Sequence, residues 1–240
     1  MAAPFVLDLL GFVGDKPNTA DIANHGSTDI ARGVLEVLGI SHQAPNAQTA
    51  GMNLEDGVKE YLAAVLPRLD QRRPWEVRRG GAISEFRQYA HLARLNELVG
   101  ADPTLKVELG QDYMISPDVT VGFMHGDVFQ RPILHAAVSC KFSIRSDRVQ
   151  NIRHEGVSMI RHRRGRQPHI VTVTSEPQPS RLAAICRGTG EVDAVYHVCL
   201  PELEEAVAGV GNELQQEALG EIVSQDRLYD LTELPDHLTV

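Results

Sequence analysis

The sequence predicts an α/β fold, a mixed central sheet between helices in three layers, with an N-terminal helical part. Helical periodicity carries the first hundred residues, at 29–38, 55–66 and 84–98. Four β-branched, apolar runs then follow at 119–123, 133–142, 170–174 and 192–198. A helical stretch at 147–161 separates the second run from the third, and a last helix is expected from 201 into 208. Helices first, then strands interleaved with helices, is the order that a sheet covered on both faces produces.

Each strand run is bounded by Pro, Gly, Ser or charged residues, which close it off as a separate element. Between Asp118 and Lys141 lie 22 residues, enough for two strands and a tight turn at Gly126-Asp127. The chain of 240 residues has no internal repeat and no low-complexity linker, so a single domain over 1–240 is expected.

Composition narrows the classes of function. No apolar run approaches the roughly 18 to 20 residues that a membrane span requires, and the start MAAPFVLDLLGFVGD is acidic where a signal peptide is basic. A soluble, cytoplasmic protein is expected. Cys140, Cys186 and Cys199 are odd in number, with no CxxC pair, so they read as reduced core residues and not as a disulfide or zinc framework.

The net charge of −9 argues, taken alone, against a nucleic-acid partner. The charge is unevenly spread. From Lys141 to Arg166 eight lysines and arginines face only Asp147 and Glu155. A solvated helix face is the plain account of such a run, so the residues within it decide. Arg161, Arg163, Arg164 and Arg166 suit phosphate contacts. His135, His154, His162 and His169 lack metal-ligand spacing and read as core or surface histidines.

Charged residues stand at two strand ends. Asp118 follows Pro117 at the mouth of one apolar run, and Lys141 follows Val138-Ser139-Cys140 at the end of the next. A lysine at the edge of a buried strand needs a partner or a polar cleft, and an aspartate on the adjoining strand supplies one. Thirteen residues separate Lys141 from Glu155, room for a turn and about two helical turns, so Glu155 can fold back toward the lysine. Two carboxylates and a lysine suit phosphodiester hydrolysis with a divalent ion, for which Mg2+ is expected.

Pro117-Asp118, then Ser139-Cys140-Lys141, then a glutamate fourteen positions after the lysine resembles the NgoMIV-type restriction endonucleases, a CCGG-recognising branch of the PD-(D/E)xK nuclease superfamily. In the wider superfamily an acid stands where this chain has Ser139, and in this branch the acid moves to the following helix, as Glu155 does. The stretches SCKFSIRSDRVQNIRHEG, RHRRGRQPHIVTVTSEPQPSR and GTGEVDAVYH carry the likeness over about half the chain. The resemblance implies a type II restriction endonuclease that hydrolyses double-stranded DNA in a restriction-modification system and leaves 5′ overhangs. It implies Asp118, Lys141, Glu155 and Ser139 as catalytic residues, with Asp118, Glu155 and Cys140 at the metal. AQTAGMNLE resembles the segment bearing a further active-site acid, Glu55; Glu85 competes on spacing, and a helix N-terminal acid serving only the helix dipole is the plain alternative.

Arg145, Asp147 and Arg148 follow the lysine directly. Arginine can donate twice to guanine and aspartate can accept from cytosine, which matches C·G pairs; surface salt bridging is the alternative. The resemblance implies the same reading of CCGG, with Asp21 and Arg181 on the flanking pair, hence GCCGGC, and Gln48 in the minor groove. Near Asp21 the chain has Ala23 where the family has a serine.

A palindrome presents one half-site twice, so a homodimer is expected. Family members pair such dimers into tetramers, but the short connection between Asp118 and Lys141 disfavours that here. Two further readings compete: a nuclease of the same fold that recognises DNA structure or damage, and a catalytically silent DNA-binding module.

Overall fold

The structure, a computed structural model, describes residues 2–102, 104–105, 107, 112–124, 130–144 and 146–240, with Ser146 and Asp147 described by backbone alone. After a one-turn helix α1 (Val6–Leu9), strands β1 (Phe12–Val13) and β2 (Lys16–Pro17) form a small hairpin. Helix α2 (His25–Val37) and the long helix α3 (Ala47–Leu69) complete the N-terminal helical part.

The central sheet follows. Its strands among the described residues are β3 (Trp75–Arg79), β4 (Val119–Phe123), β5 (Ile133–Lys141), β6 (His169–Thr174), β7 (Ala194–His197) and β8 (Leu228–Asp230), side by side in that order. β3, β4 and β5 are antiparallel and β5 through β8 are parallel, so the sheet is mixed. Between the strands run α4 (Ala90–Ala101), α5 (Ser146–His162), α6 (Pro179–Cys186), α7 (Leu200–Val210) and α8 (Glu213–Ser224), and α9 (Leu234–Thr239) ends the chain.

Alternation along β5 makes the layers. Ala136, Val138 and Cys140 face the core that α3 supplies with Leu54, Val58, Leu62 and Leu66. Ala137 and Ser139 face the other way, toward Ile152, Glu155 and Met159 of α5. The period of four in Leu54, Val58, Leu62 and Leu66 keeps one stripe of α3 on the sheet.

Two glycines set close approaches. At Gly57 of α3 a Cβ would lie 2.3 Å from the Phe5 ring. At Gly156 of α5 it would lie 2.2 Å from the Glu191 carbonyl oxygen, so only glycine lets α5 pack there and fixes the depth of its neighbour Glu155.

Several expectations change in detail. The helix expected from residue 55 begins at Ala47, because the Asn46 side chain caps it by accepting from Gln48 and Thr49 N–H. The helix expected over 84–98 is two single 3-10 turns, Ile83–Glu85 and Arg87–Tyr89, followed by α4. Phe86 between them has extended backbone, which breaks the helix there, and both Phe86 and Tyr89 are buried. The sequence pattern does not mark α1, β1, β2, β3, α6 or β8, and the helix expected to be last, at 201–208, is followed by α8 and α9. The Gly126-Asp127 turn lies outside the described residues.

Candidate active site

Antiparallel pairing of β4 with β5 sets Val119 opposite Val138, so the start of one strand meets the end of the other. Asp118 and Lys141 are thereby neighbours, with Lys141 Nζ donating to Asp118 Oδ2 at 2.6 Å. The same oxygen accepts the backbone N–H of Cys140 at 2.7 Å. Both side chains remain about a quarter exposed, at 24% for Asp118 and 22% for Lys141. A half-buried ion pair roughly breaks even against an apolar pair of the same shape, so stability gives little reason to keep one here. Its use lies in what it faces.

That is an open cleft of about 520 Å³ lined by Gln48, Gly51 and Glu55 of α3, by Cys140 and Lys141 of β5, and by Arg148 and Asn151 of α5. Glu55 lies in the third turn of α3 and not at its start, so the helix-dipole account of it falls away. Arg79 of β3 holds its carboxylate at 2.9 Å and Asp56 at the same distance. Glu85 instead pairs with Arg78 at 3.1 Å and is half exposed, away from the cleft lining.

Glu155 comes from the opposite face of the sheet. It shares a small cavity with Pro117, Ser139 and Thr172. Burial pushes its carboxyl above the ordinary carboxylate range; Lys141 pulls it partly back, and Asp118 adds to the rise. Ser139 Oγ and Thr172 Oγ1, partners in register across β5 and β6, are buried with no hydrogen-bond partner among the described residues.

Cys140 has a thiol turned into the α3 core, and burial keeps it protonated, well above its ordinary pKa. A neutral, buried thiol is no ligand for a hard cation, so what Cys140 brings to the site is its main chain. Among the described residues no group of three or more His, Cys, Asp or Glu side chains is arranged to hold a metal. The donors at hand, Asp118 and Glu155 with Glu55 beside them, are carboxylates, the oxygen set that magnesium prefers.

The candidate DNA-reading residues fall into two groups. Arg148 lines the cleft and donates to the Ser143 carbonyl at 2.8 Å, with Gln48 across from it at the start of α3. Arg145 lies outside the described residues, as does the side chain of Asp147. Asp21 and Arg181, 160 residues apart in sequence, meet as an ion pair. Arg166 lines a depression with Arg72, Arg73, Phe123 and Ile133 at the far end of the sheet, so a phosphate contact at the cleft does not follow for it.

His154 is exposed, and His135 and His169 sit together at that far end. All three cysteines are buried and free. Residues not singled out from sequence include Arg79, which holds Glu55, and Glu176, a buried carboxylate beside Arg181. Neither carries a sequence signal: Arg79 reaches Glu55 across 24 residues, and Glu176 accepts from Ile144 across 32.

The sequence pattern of the NgoMIV restriction enzyme family matches residues 13–127 and 124–240, which together take in nearly the whole chain. The chain belongs to that family. It is 36% identical over 257 aligned positions to the type II restriction enzyme NgoMIV of Neisseria gonorrhoeae, covering 93% of this chain and 90% of that protein. Its activity is that of a type II restriction endonuclease. Among solved structures, the type IIF restriction endonuclease Bse634I with cognate DNA is similar at a TM-score of 0.37 and 12% identity, over 87% of this chain and 81% of that one. Among the described residues no helix is long and apolar enough to cross a membrane.

Proposed function

We propose that the chain cuts double-stranded DNA at a GC-rich palindrome containing CCGG, favouring GCCGGC and leaving 5′ overhangs, with Mg2+ as cofactor and as a homodimer. The observation that supports this best is the Lys141–Asp118 pair at 2.6 Å, with Lys141 on the wall of the cleft and Glu155 close enough to feel both charges.

In this reading Asp118 and Glu155 would hold magnesium, with Glu55 as a further acid, and the ion would supply positive charge to the scissile phosphate and a more acidic bound water. Lys141 keeps its ammonium at the site, oriented by Asp118 Oδ2, and donates toward the phosphate or the attacking water as negative charge develops. In the hydrolysis a water oxygen bonds to phosphorus, one P–O ester bond breaks, and the departing sugar oxygen takes up a proton. Ser139, in the position where an acid would crowd Glu155, leaves the metal-binding role to the helix.

Arg145, Asp147 and Arg148 read the inner C·G pairs from the segment that leaves Lys141, so recognition and chemistry share one stretch of chain. Asp21 and Arg181 read the flanking pair, separating from each other to do so, and Gln48 enters the minor groove. The two-fold symmetry of the site calls for two chains, one active site for each strand.

The test is digestion of a plasmid of known sequence with Mg2+ and with EDTA, followed by sequencing of fragment ends. Discrete ends at GCCGGC sites only with Mg2+ are expected. A magnesium-dependent smear would point to a structure-specific or non-specific nuclease, and an uncut plasmid that still shifts on a gel to a silent binding module.

A further inference from the structure

The most deeply buried acid among the described residues belongs to no catalytic role described above. Glu176 is 0% exposed, just past the end of β6. Its Oε2 accepts the backbone N–H of Ile144 at 2.7 Å, and its Oε1 accepts that of Gln178 at 3.1 Å. Arg181 NH1 stands 3.7 Å from the same Oε2, beyond hydrogen-bond length but close for opposite charges out of water. Beside it, Ser175 Oγ donates to the Phe142 carbonyl at 2.6 Å.

These contacts clasp the segment 142–144, which links Lys141 to the reading residues 145–148. One carboxylate oxygen therefore touches the inner-pair reading segment on one side and the outer-pair reader on the other. Burying a carboxylate costs several kcal/mol; its two oxygens each accept one backbone N–H, where an amide, with a single accepting oxygen, would keep only one of them. What the negative charge adds is the hold on Arg181.

We propose that Glu176 is a positioning residue for specificity, coupling the inner-pair reading segment after Lys141 to the outer-pair reader Arg181. The inference rests on the assignment of Arg148 and Arg181 to base reading. Misplacement of either reading group is then felt by the other, so that a wrong outer pair loosens the inner contacts and the two halves of recognition reinforce one another.

The experiment compares initial cleavage rates on three duplexes: GCCGGC, ACCGGT with the outer pair changed, and GCTAGC with the inner pairs changed. Arg181→Ala is expected to cut the GCCGGC preference over ACCGGT by roughly tenfold or more, mainly as an outer-pair loss. Glu176→Gln, nearly isosteric, is expected to lower both preferences, each by roughly three- to tenfold. A Glu176→Gln enzyme that loses only the outer preference, loses neither, or slows on all three duplexes alike overturns the proposal.

A second measurement does not need the buried position to tolerate change. Amide hydrogen exchange at 142–144 is expected to quicken at least about threefold in Arg181→Ala, and unchanged exchange there also overturns the coupling. If the wild-type enzyme does not prefer GCCGGC over ACCGGT, the outer-pair assignment itself has failed and the proposal falls with it. A failure confined to the variants leaves that assignment standing.

Discussion

At one end of β4 and β5, Lys141 lines a cleft and pairs with Asp118, each about a quarter exposed, with a carboxylate from α5 held near them against its preference for water. At the other end of the same strands, the rings of Trp75, Phe123, His135 and His169 pack edge-on or tilted at centroid separations of 5.1 to 5.7 Å. His135 Nε2 donates there to the Leu238 carbonyl at 2.7 Å and so anchors α9. One end keeps charge where apolar contact would serve stability as well or better. The other keeps a histidine neutral by burying it. The contrast separates a site made for chemistry from a region made for cohesion, although both are rich in titratable side chains.

The largest expected effect that separates the two ends is on the charged one. Asp118→Ala removes the acceptor of Lys141 and of the Cys140 N–H together, and should slow single-turnover cleavage by roughly a thousandfold, about 4 kcal/mol in the barrier. Its melting temperature should move far less than its rate. Trp75→Ala should do the reverse, lowering unfolding free energy by about 3 kcal/mol while leaving cleavage per folded molecule within about twofold. Denaturant melts run beside cleavage assays check both, and a stable but inactive Trp75 variant would erase the distinction.

Recognition gives a smaller effect. Arg148→Ala should weaken binding to a GCCGGC duplex by roughly 1 to 3 kcal/mol and leave binding to an unrelated duplex much less changed, as read by competition gel shift. Equal weakening on both would make Arg148 a phosphate contact.

A pH dependence at the cohesive end and in the core bears on stability and not on cutting. Burial lowers His135 to about 4, and His197 likewise to about 4. With folded values below the unfolded one near 6.5, the unfolded chain takes up protons first, so stability is full above about pH 6.5 and falls as pH drops toward about 4. Each histidine costs up to roughly 1.4 kcal/mol per pH unit in that window. Melts of the wild type and of His135→Gln should show a shallower acid loss in the variant; identical slopes would remove His135 from the account.

Much of the sheet and the meeting of Asp118 with Lys141 was legible from sequence, because both write themselves locally. Apolar β-branched runs ended by charges mark β4, β5 and β6, and a Pro-Asp and a Ser-Cys-Lys at adjoining strand ends bring Asp118 and Lys141 together once the strands pair. α3 was read too short, since Gln48 to Asn53 is polar and small, although the Asn46 cap was there to be seen. β3 escaped because Trp75–Arg79 is short and carries three charges, so the brief alternation Trp75-Glu76-Val77-Arg78 reads weakly. Glu176 and the Arg79 grip on Glu55 escaped for another reason. Their meaning lies in partners 24 to 32 residues away, brought near only by the fold.

The most direct measurement pairs cleavage with binding for Lys141→Ala on one GCCGGC duplex in Mg2+. Cleavage slowed by at least about a hundredfold, with binding within about threefold of wild type, is the expected result. Unchanged cleavage by the folded variant would contradict the assignment of the active site to this end of the sheet.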